Sequence, residues 1–247
     1  MARRRFFVEQ VCGETAELRS EDARHLARVL RAEPGQKYEI SDSRSVWLAE
    51  IAEARGDRVV FRILEPVATP EIPVRITLFP ALVKFDRFEW IIEKASELGV
   101  ERIVPVAVAR SEKGLFEASQ KRTERWKRIA HEAGQQARRL RAPEILPAVS
   151  FETALTDSAE FRYFLEESAA PPFFGCLPAM RAPSAQVALL IGSEGGWIDA
   201  ERHAAAHAGW MAVSLGPLVL RAETAATAAL AIVLNSWCAS GGILQYK

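Results

Sequence analysis

Apolar positions in the first quarter of the chain follow two different periods. Ala23, Leu26, Ala27 and Leu30 recur three or four residues apart, which puts them on one face of a short helix. Ser20 supplies an N-cap ahead of Glu21 and Asp22, acids suited to a first helical turn, and Pro34-Gly35 ends the segment. Shorter apolar groups then read as strands: Lys37–Ser41, Val46–Ala54 and, after the Gly56-Asp57 turn signal, Arg58–Leu64. The pattern predicts a small β-rich unit with one helix, ending near residue 66. Glu65–Pro73 carries prolines at positions 66, 70 and 73, a composition suited to an extended linker. A domain boundary is placed there, with residues 1–70 before it and 71–247 after.

Beyond the linker the rhythm becomes an alternation of strands and helices. Val74–Phe79 is strand-like, Phe88, Ile91, Ile92, Ala95 and Leu98 share one helical face, Gly99 stops that helix, and Ile103–Val106 resumes a strand. A helix over Gln120–Leu140 follows, then strands at Phe161–Leu165, Val187–Ile191 and Met211–Leu215, and a closing helix over Thr224–Ala239. This order predicts an α/β domain with a mainly parallel sheet. No internal repeat or low-complexity segment interrupts it.

Composition narrows the class. At 247 residues, 49% of them hydrophobic, the chain suits two domains with a sizeable core. No apolar run is long enough to span a bilayer, and Met1-Ala-Arg-Arg-Arg-Phe-Phe is not followed by a signal-type stretch, so a cytoplasmic protein with no membrane partner is expected. Cys12, Cys176 and Cys238 are scattered, with no CxxC pair to hold a metal, and read as structural thiols. Lysine plus arginine equals aspartate plus glutamate, 32 each, so any affinity for nucleic acid must be local. Two clusters supply it: Arg3, Arg4 and Arg5, and the Lys121–Arg141 stretch, whose Lys121, Arg122, Arg125, Lys127, Arg128, Arg138, Arg139 and Arg141 face only Glu124 and Glu132. Taken alone, such a run is more often a solvated helix face.

Two turns carry candidate chemistry. In Leu189–Trp197 an apolar strand runs into Gly192-Ser193-Glu194-Gly195-Gly196, where backbone can approach a ligand without Cβ interference. An ordinary tight turn explains it equally well, and the GxGxxG dinucleotide pattern is absent. In Ser214–Ala225, Arg221 and Glu223 are charges at the mouth of an apolar segment and need a partner, either each other or a ligand. His203 and His207 stand four apart on a helix, but with no third ligand in view they read as a solvated pair and no metal site is expected.

These residues resemble the SPOUT family of 16S rRNA uridine N3-methyltransferases. The family's helix signature is similar to Glu132, Ala133, Gln136 and Arg139 with Pro143 downstream; its glycine loop, usually Ile-Gly-Pro-Glu-Gly-Gly, resembles Ile191–Gly196; its closing motif resembles Leu215-Gly216 and Val219–Ala225. Lys84, Lys94–Val100 and His25–Arg31 extend the likeness to nearly the whole chain. Departures are Ser193 where proline is usual, Leu218 where arginine is common and Ala222 where threonine is common.

The resemblance implies a C-terminal trefoil-knotted SPOUT methyltransferase domain of α/β class, a smaller N-terminal PUA-like or OB-like β-barrel that binds RNA, and an active site formed across a homodimer. It implies S-adenosylmethionine as cofactor, held by Leu165, Ile191, Gly192, Glu194, Gly195, Gly196, Leu215, Gly216, Pro217 and Leu220. The implied substrate is 16S rRNA in the small ribosomal subunit, contacted by Arg3, Arg4, Arg5, His25, Arg28, Arg31, Lys84, Gln136 and Arg138. Uracil N3 is a poor nucleophile until it loses its proton, so Arg139 or Arg221 is expected to stabilise charge on the carbonyl oxygens, with Glu223 and Glu194 as base or orienting groups. Two other readings stand beside this one: a SPOUT enzyme methylating a ribose 2′-oxygen or a purine N1, and a non-catalytic RNA-binding or ribosome-assembly factor of the same fold.

Overall fold

Alternating burial builds the strands of the N-terminal region in the computed structural model, which describes residues 4–69, 71–167 and 170–240. The strands are β1 (Arg5–Phe7), β2 (Val11–Cys12), β3 (Thr15–Arg19), β4 (Lys37–Ser41), β5 (Val46–Arg55) and β6 (Arg58–Pro66), with helix α1 (Ser20–Arg24) between β3 and β4. In β3 only Ala16 and Leu18 turn inward, and in β6 Val59 and Phe61 do, the period-two pattern of a sheet with one covered face. In β5 the phase slips, and the register shifts there against β6, as bulges require. The sheet order is β1-β4-β5-β6-β3-β2, parallel between β1 and β4 and antiparallel elsewhere. Phe6, Leu18, Leu26, Ile40, Ile51 and Phe61 form its core.

The helix expected from Glu21 to Leu30 begins one residue earlier and changes pitch. α1 starts at Ser20 itself, after Arg19 in extended conformation, so Ser20 is not the residue that precedes the helix. His25–Val29 then forms a π-helical turn, in which Leu30 N–H donates to the His25 carbonyl at 3.0 Å, and Arg31 ends it with φ of 48°. Strands β1 to β3 had no forecast, because Phe6 and Val8 alternate inward only within a run of charges.

The remaining elements are β7 (Val74–Pro80), α2 (Phe85–Glu97), β8 (Arg102–Ile103), β9 (Val106–Ala107), α3 (Leu115–Gln120), α4 (Thr123–Gln136), β10 (Glu144–Ile145), β11 (Val149–Ser150), α5 (Phe151–Leu155), β12 (Phe161–Leu165), β13 (Ala185–Ile191), α6 (Asp199–His207), β14 (Met211–Val213) and α7 (Ala222–Ser240). An all-parallel sheet runs β10-β8-β7-β13-β12-β14, and β9 pairs separately with β11. β13 is buried at every position from Val187 to Ile191 because both faces are covered. Val187, Leu189 and Ile191 pack with Phe88 and Ile92 of α2 and Leu230 and Val233 of α7. Ala188 and Leu190 pack on the opposite face with Phe151 of α5, Ala205 of α6 and Trp210.

The chain divides into two compact units, one of residues 1–71 with His131–Ala142 and one of Ile72–Ala130 with Pro143–Lys247. The helix expected over residues 120–140 is α4, which begins at Thr123 and ends at Gln136, while α3 before it had no forecast; residues 131–142, the second half of α4 included, belong to the N-terminal unit. Among the described residues no helix is long and apolar enough to cross a membrane.

Candidate functional site

Three loops meet because three neighbouring parallel strands end on the same side of the sheet. β13, β12 and β14 run in one direction, so the segments that follow them emerge together, at the edge where α/β sheets bind small ligands. Hydrogen bonds tie these segments to one another. Trp197 Nε1 donates to the Leu165 carbonyl at 2.8 Å, joining the loop after β13 to the end of β12. Glu166 N–H donates to the Val213 carbonyl at 2.9 Å, Ser214 N–H to the Pro171 carbonyl at 2.9 Å, and Phe173 N–H to the Ser214 carbonyl at 2.8 Å. Ser214 also closes its own turn, its hydroxyl lying 3.1 Å from the Gly216 carbonyl and 3.2 Å from the Gly216 N–H.

Two glycines are required by this geometry. The Trp197 indole, buried and stacked on Phe164 with centroids 4.4 Å apart, lies so close over Gly192 that a Cβ there would come 3.0 Å from its Cε2. Gly196 has φ of 67°, its N–H donates to the Ser193 carbonyl at 2.9 Å, and a Cβ on it would stand 2.5 Å from Glu167 Oε1.

The loops line a cleft, part of it open to solvent, at the sheet edge where a small ligand can reach both backbone and apolar side chains. Leu165, Ile191, Leu215 and Leu220 make its apolar walls, and Gly192, Gly196 and Gly216 present bare backbone, all of them residues the sequence pointed to for a cofactor. Glu194, Gly195 and Pro217, also expected to bind it, are exposed and are not part of the lining. Glu194 pairs with Arg87, and the Gly195 carbonyl accepts from Arg110, so two arginines hold the outer rim of the glycine loop.

Ser193, singled out in the sequence only as a departure from proline, lines the cleft as well, and sequence reasoning missed Glu166, Glu167, Trp197 and Ser214, which also line it. Two acids directly after the apolar run of β12 were a signal for the first two; nothing local marked the others. Glu166 is buried, with the Arg202 guanidinium 2.5 Å from its Oε2. Tyr163, in the core against Phe173 and not in the cleft lining, has its hydroxyl pKa pushed up to about 12 by burial and donates to the Cys176 carbonyl at 3.2 Å. Among the described residues, two buried side-chain oxygens have no hydrogen-bond partner: Ser193 Oγ and Oε2 of Glu223, in the first turn of α7. Arg221 is exposed just ahead of that helix, its carbonyl accepting from Ala225 N–H at 2.8 Å. Among the described residues no three His, Cys, Asp or Glu side chains are grouped to hold a metal, and His203 and His207 are exposed on α6.

Within the N-terminal unit the basic residues divide sharply. Arg3 lies outside the described residues. Arg5, expected at RNA phosphates, is instead 2% exposed. The β1–β4 register sets it opposite Glu39, whose carboxylate its Nη2 meets at 2.9 Å. Arg138 engages the same carboxylate, with its Nε 3.1 Å from Oε2. Burial disfavours the Glu39 charge, but Arg138 and Arg5 outweigh it and hold the carboxyl below its usual value. Arg4 is half-buried, its guanidinium 3.0 Å from Gln135 Oε1 and 3.3 Å from His25 Nε2. Arg28, Arg31 and Gln136 are exposed, and Arg139 is half-buried. Lys84, in the second unit, is exposed ahead of α2.

A family model described as an RNA methyltransferase domain matches residues 70–234, and one described as an RNA methyltransferase PUA domain matches residues 18–64. The chain is 34% identical over 239 residues to ribosomal RNA small subunit methyltransferase E of Synechocystis, covering 90% of this chain and 74% of that protein. Its identity to the Bacillus subtilis protein of the same name is 28% over 244 residues, 93% of this chain and 95% of the other. The crystal structure of ribosomal RNA small subunit methyltransferase E from Neisseria gonorrhoeae, bound to S-adenosyl methionine, matches with a TM-score of 0.85 at 30% identity, over 96% of this chain and 98% of that one.

Proposed function

The chain belongs to the RNA methyltransferase family with an N-terminal PUA domain, and from that membership we propose that it methylates uridine N3 in 16S rRNA of the small ribosomal subunit, using S-adenosylmethionine. The observation that carries the reading is the cleft at the ends of β12, β13 and β14. Its residues fit the cofactor: leucines and Ile191 for an adenine ring, three glycines that leave backbone within reach, and the Ser193 hydroxyl, buried without a partner, to hydrogen-bond a polar ligand. S-adenosylmethionine supplies an electrophilic methyl group there.

The chain's own residues must hold the uracil in line and favour the loss of its N3 proton. Arg221 precedes the cleft-lining Ala222 and offers an exposed guanidinium to the charge that spreads onto the uracil carbonyl oxygens. Arg139 is the other candidate for that role. Glu223, with a buried oxygen lacking a donor, takes the proton or orients the base. Arg4, His25, Arg28, Arg31, Lys84, Gln136 and the exposed side of Arg138 contact RNA; Arg5 ties β1 to Glu39 of β4.

The second unit is read as trefoil-knotted and the working enzyme as a homodimer, acting in the cytoplasm during ribosome biogenesis. The strand order supports the knot: β14 lies at the edge beyond β12, and the chain returns from it to lay α7 against α2, β7 and β13. Dimerisation follows from the family resemblance.

The test is transfer of labelled methyl from S-adenosylmethionine to unmethylated small subunits, with nucleoside mass spectrometry of the digested RNA and the solution mass of the enzyme measured alongside. Expected are 3-methyluridine, a mass of two chains, and no transfer by Arg221→Ala with cofactor binding intact. Tight subunit binding without transfer would establish the assembly-factor reading, and another methylated nucleoside a different SPOUT reaction.

A further inference from the structure

Three acidic side chains follow strands β12 and β13 at the cleft and its rim, and two of them already have cations. Glu166 is paired with Arg202 and Glu194 with Arg87. Glu167, which lines the cleft, has no positively charged group within 4 Å among the described residues. Its backbone is held at the end of β12, because Glu167 N–H donates to Glu166 Oε1 at 3.0 Å and Glu166 N–H donates to the Val213 carbonyl at 2.9 Å. The side chain reaches over the glycine loop, with Oε1 so near Gly196 that a Cβ there would stand 2.5 Å away. A carboxylate in that position is satisfied by water while the cleft is open. A ligand that fills the cleft removes the water, and the carboxylate is then costly unless the ligand brings a donor.

We propose that Glu167 is a cofactor-recognising residue whose carboxylate accepts a hydrogen bond from a donor on S-adenosylmethionine, either the ammonium of the methionine half or a donor on the nucleoside half. The inference rests on the assignment of this cleft to that cofactor. It adds a carboxylate contact with no cation beside it to a site whose other walls are mainly leucine, isoleucine and glycine, with Ser193, Ser214, Trp197 and the Arg202-paired Glu166 among them, and it gives Gly196 a second reason to lack a side chain: a methyl group there would push the carboxylate aside.

The test is calorimetric titration of the full chain and of Glu167→Gln and Glu167→Asp with three ligands: S-adenosylmethionine, S-adenosylhomocysteine and methylthioadenosine, which lacks the amino acid. The expected result is a loss of S-adenosylmethionine affinity of about tenfold or more in Glu167→Gln, the size of a hydrogen bond to a charged group. Glu167→Asp, which keeps the charge, is expected to lose less. An equal loss for methylthioadenosine assigns the contact to the nucleoside half, and a loss confined to the two amino-acid-bearing ligands assigns it to the ammonium. Unchanged affinity of a folded Glu167→Gln chain for all three overturns the proposal. Failure of the unaltered chain to bind any of them refutes the cofactor reading itself, a separate outcome.

Discussion

Gly196 is constrained twice, by a φ of 67° and by the carboxylate of Glu167. An alanine there takes on the left-handed penalty of about 1–2 kcal/mol and must displace Glu167. Gly196→Ala is therefore expected to lower stability by about that amount and to weaken S-adenosylmethionine binding as well, read by thermal melting and calorimetry; unchanged affinity would show that the Glu167 position is immaterial. Both glycines of this loop that line the cleft were legible from the strand-then-glycine pattern. Glu167 was not, since an acid after an apolar strand has the same local appearance whether it points into a cleft or into water. Ser193 was legible only as a departure from the usual proline; that its hydroxyl is buried without a partner depended on the packing around it.

Trp197 is the element-scale counterpart, the residue by which the loop after β13 is fixed to the end of β12. Trp197→Phe keeps an aromatic ring against Phe164 but removes the only donor of its side chain, the one 2.8 Å from the Leu165 carbonyl. A cost of about 1–3 kcal/mol is expected if that carbonyl is left unsatisfied, together with weaker cofactor binding, because the two loops that form the cleft lose their link. A melting temperature and affinity equal to those of the unaltered chain would mean the link is dispensable. Strand β12 and most of β13 were legible because a buried parallel strand is a run of apolar residues bounded by polar ones. The π-helical turn at His25–Val29 was not, because a helix-period pattern does not distinguish pitches that differ by one residue per bond, and the short α3 is too brief to carry a helical period of its own.

At the scale of the whole molecule, the N-terminal unit is assembled from distant parts of the chain. Glu39 of β4 holds Arg5 of β1 and Arg138, and Asp22 of α1 accepts from Gln135 Nε2 at 2.8 Å and meets His131 Nε2 at 2.6 Å. Burial opposes the charge on both carboxylates, yet their partners hold both below their ordinary values of 4.5 for Glu39 and 3.8 for Asp22. Their contribution to folding is complete above those values and is lost as pH falls through the lower values of the folded state. Glu39→Gln leaves Arg5 buried without a counter-charge, so a loss of about 3 kcal/mol at neutral pH is expected, with a shallower decline of stability below about pH 4.5. Denaturant melts between pH 3 and 7 check both, and a variant with the slope of the unaltered chain would remove Glu39 from the acid response. The sequence by itself determined the alternation of strands and helices, the change of rhythm at residues 65–73 and the glycine loop, because each follows from periodicity or from a local backbone need. Only the tertiary structure decided that Arg5 is an internal ion-pair partner, that residues 131–142 belong with the N-terminal unit, and that three loops far apart in the chain enclose one cleft. Each of these depends on which groups come to share a low-dielectric space, and neighbours along the chain do not specify that.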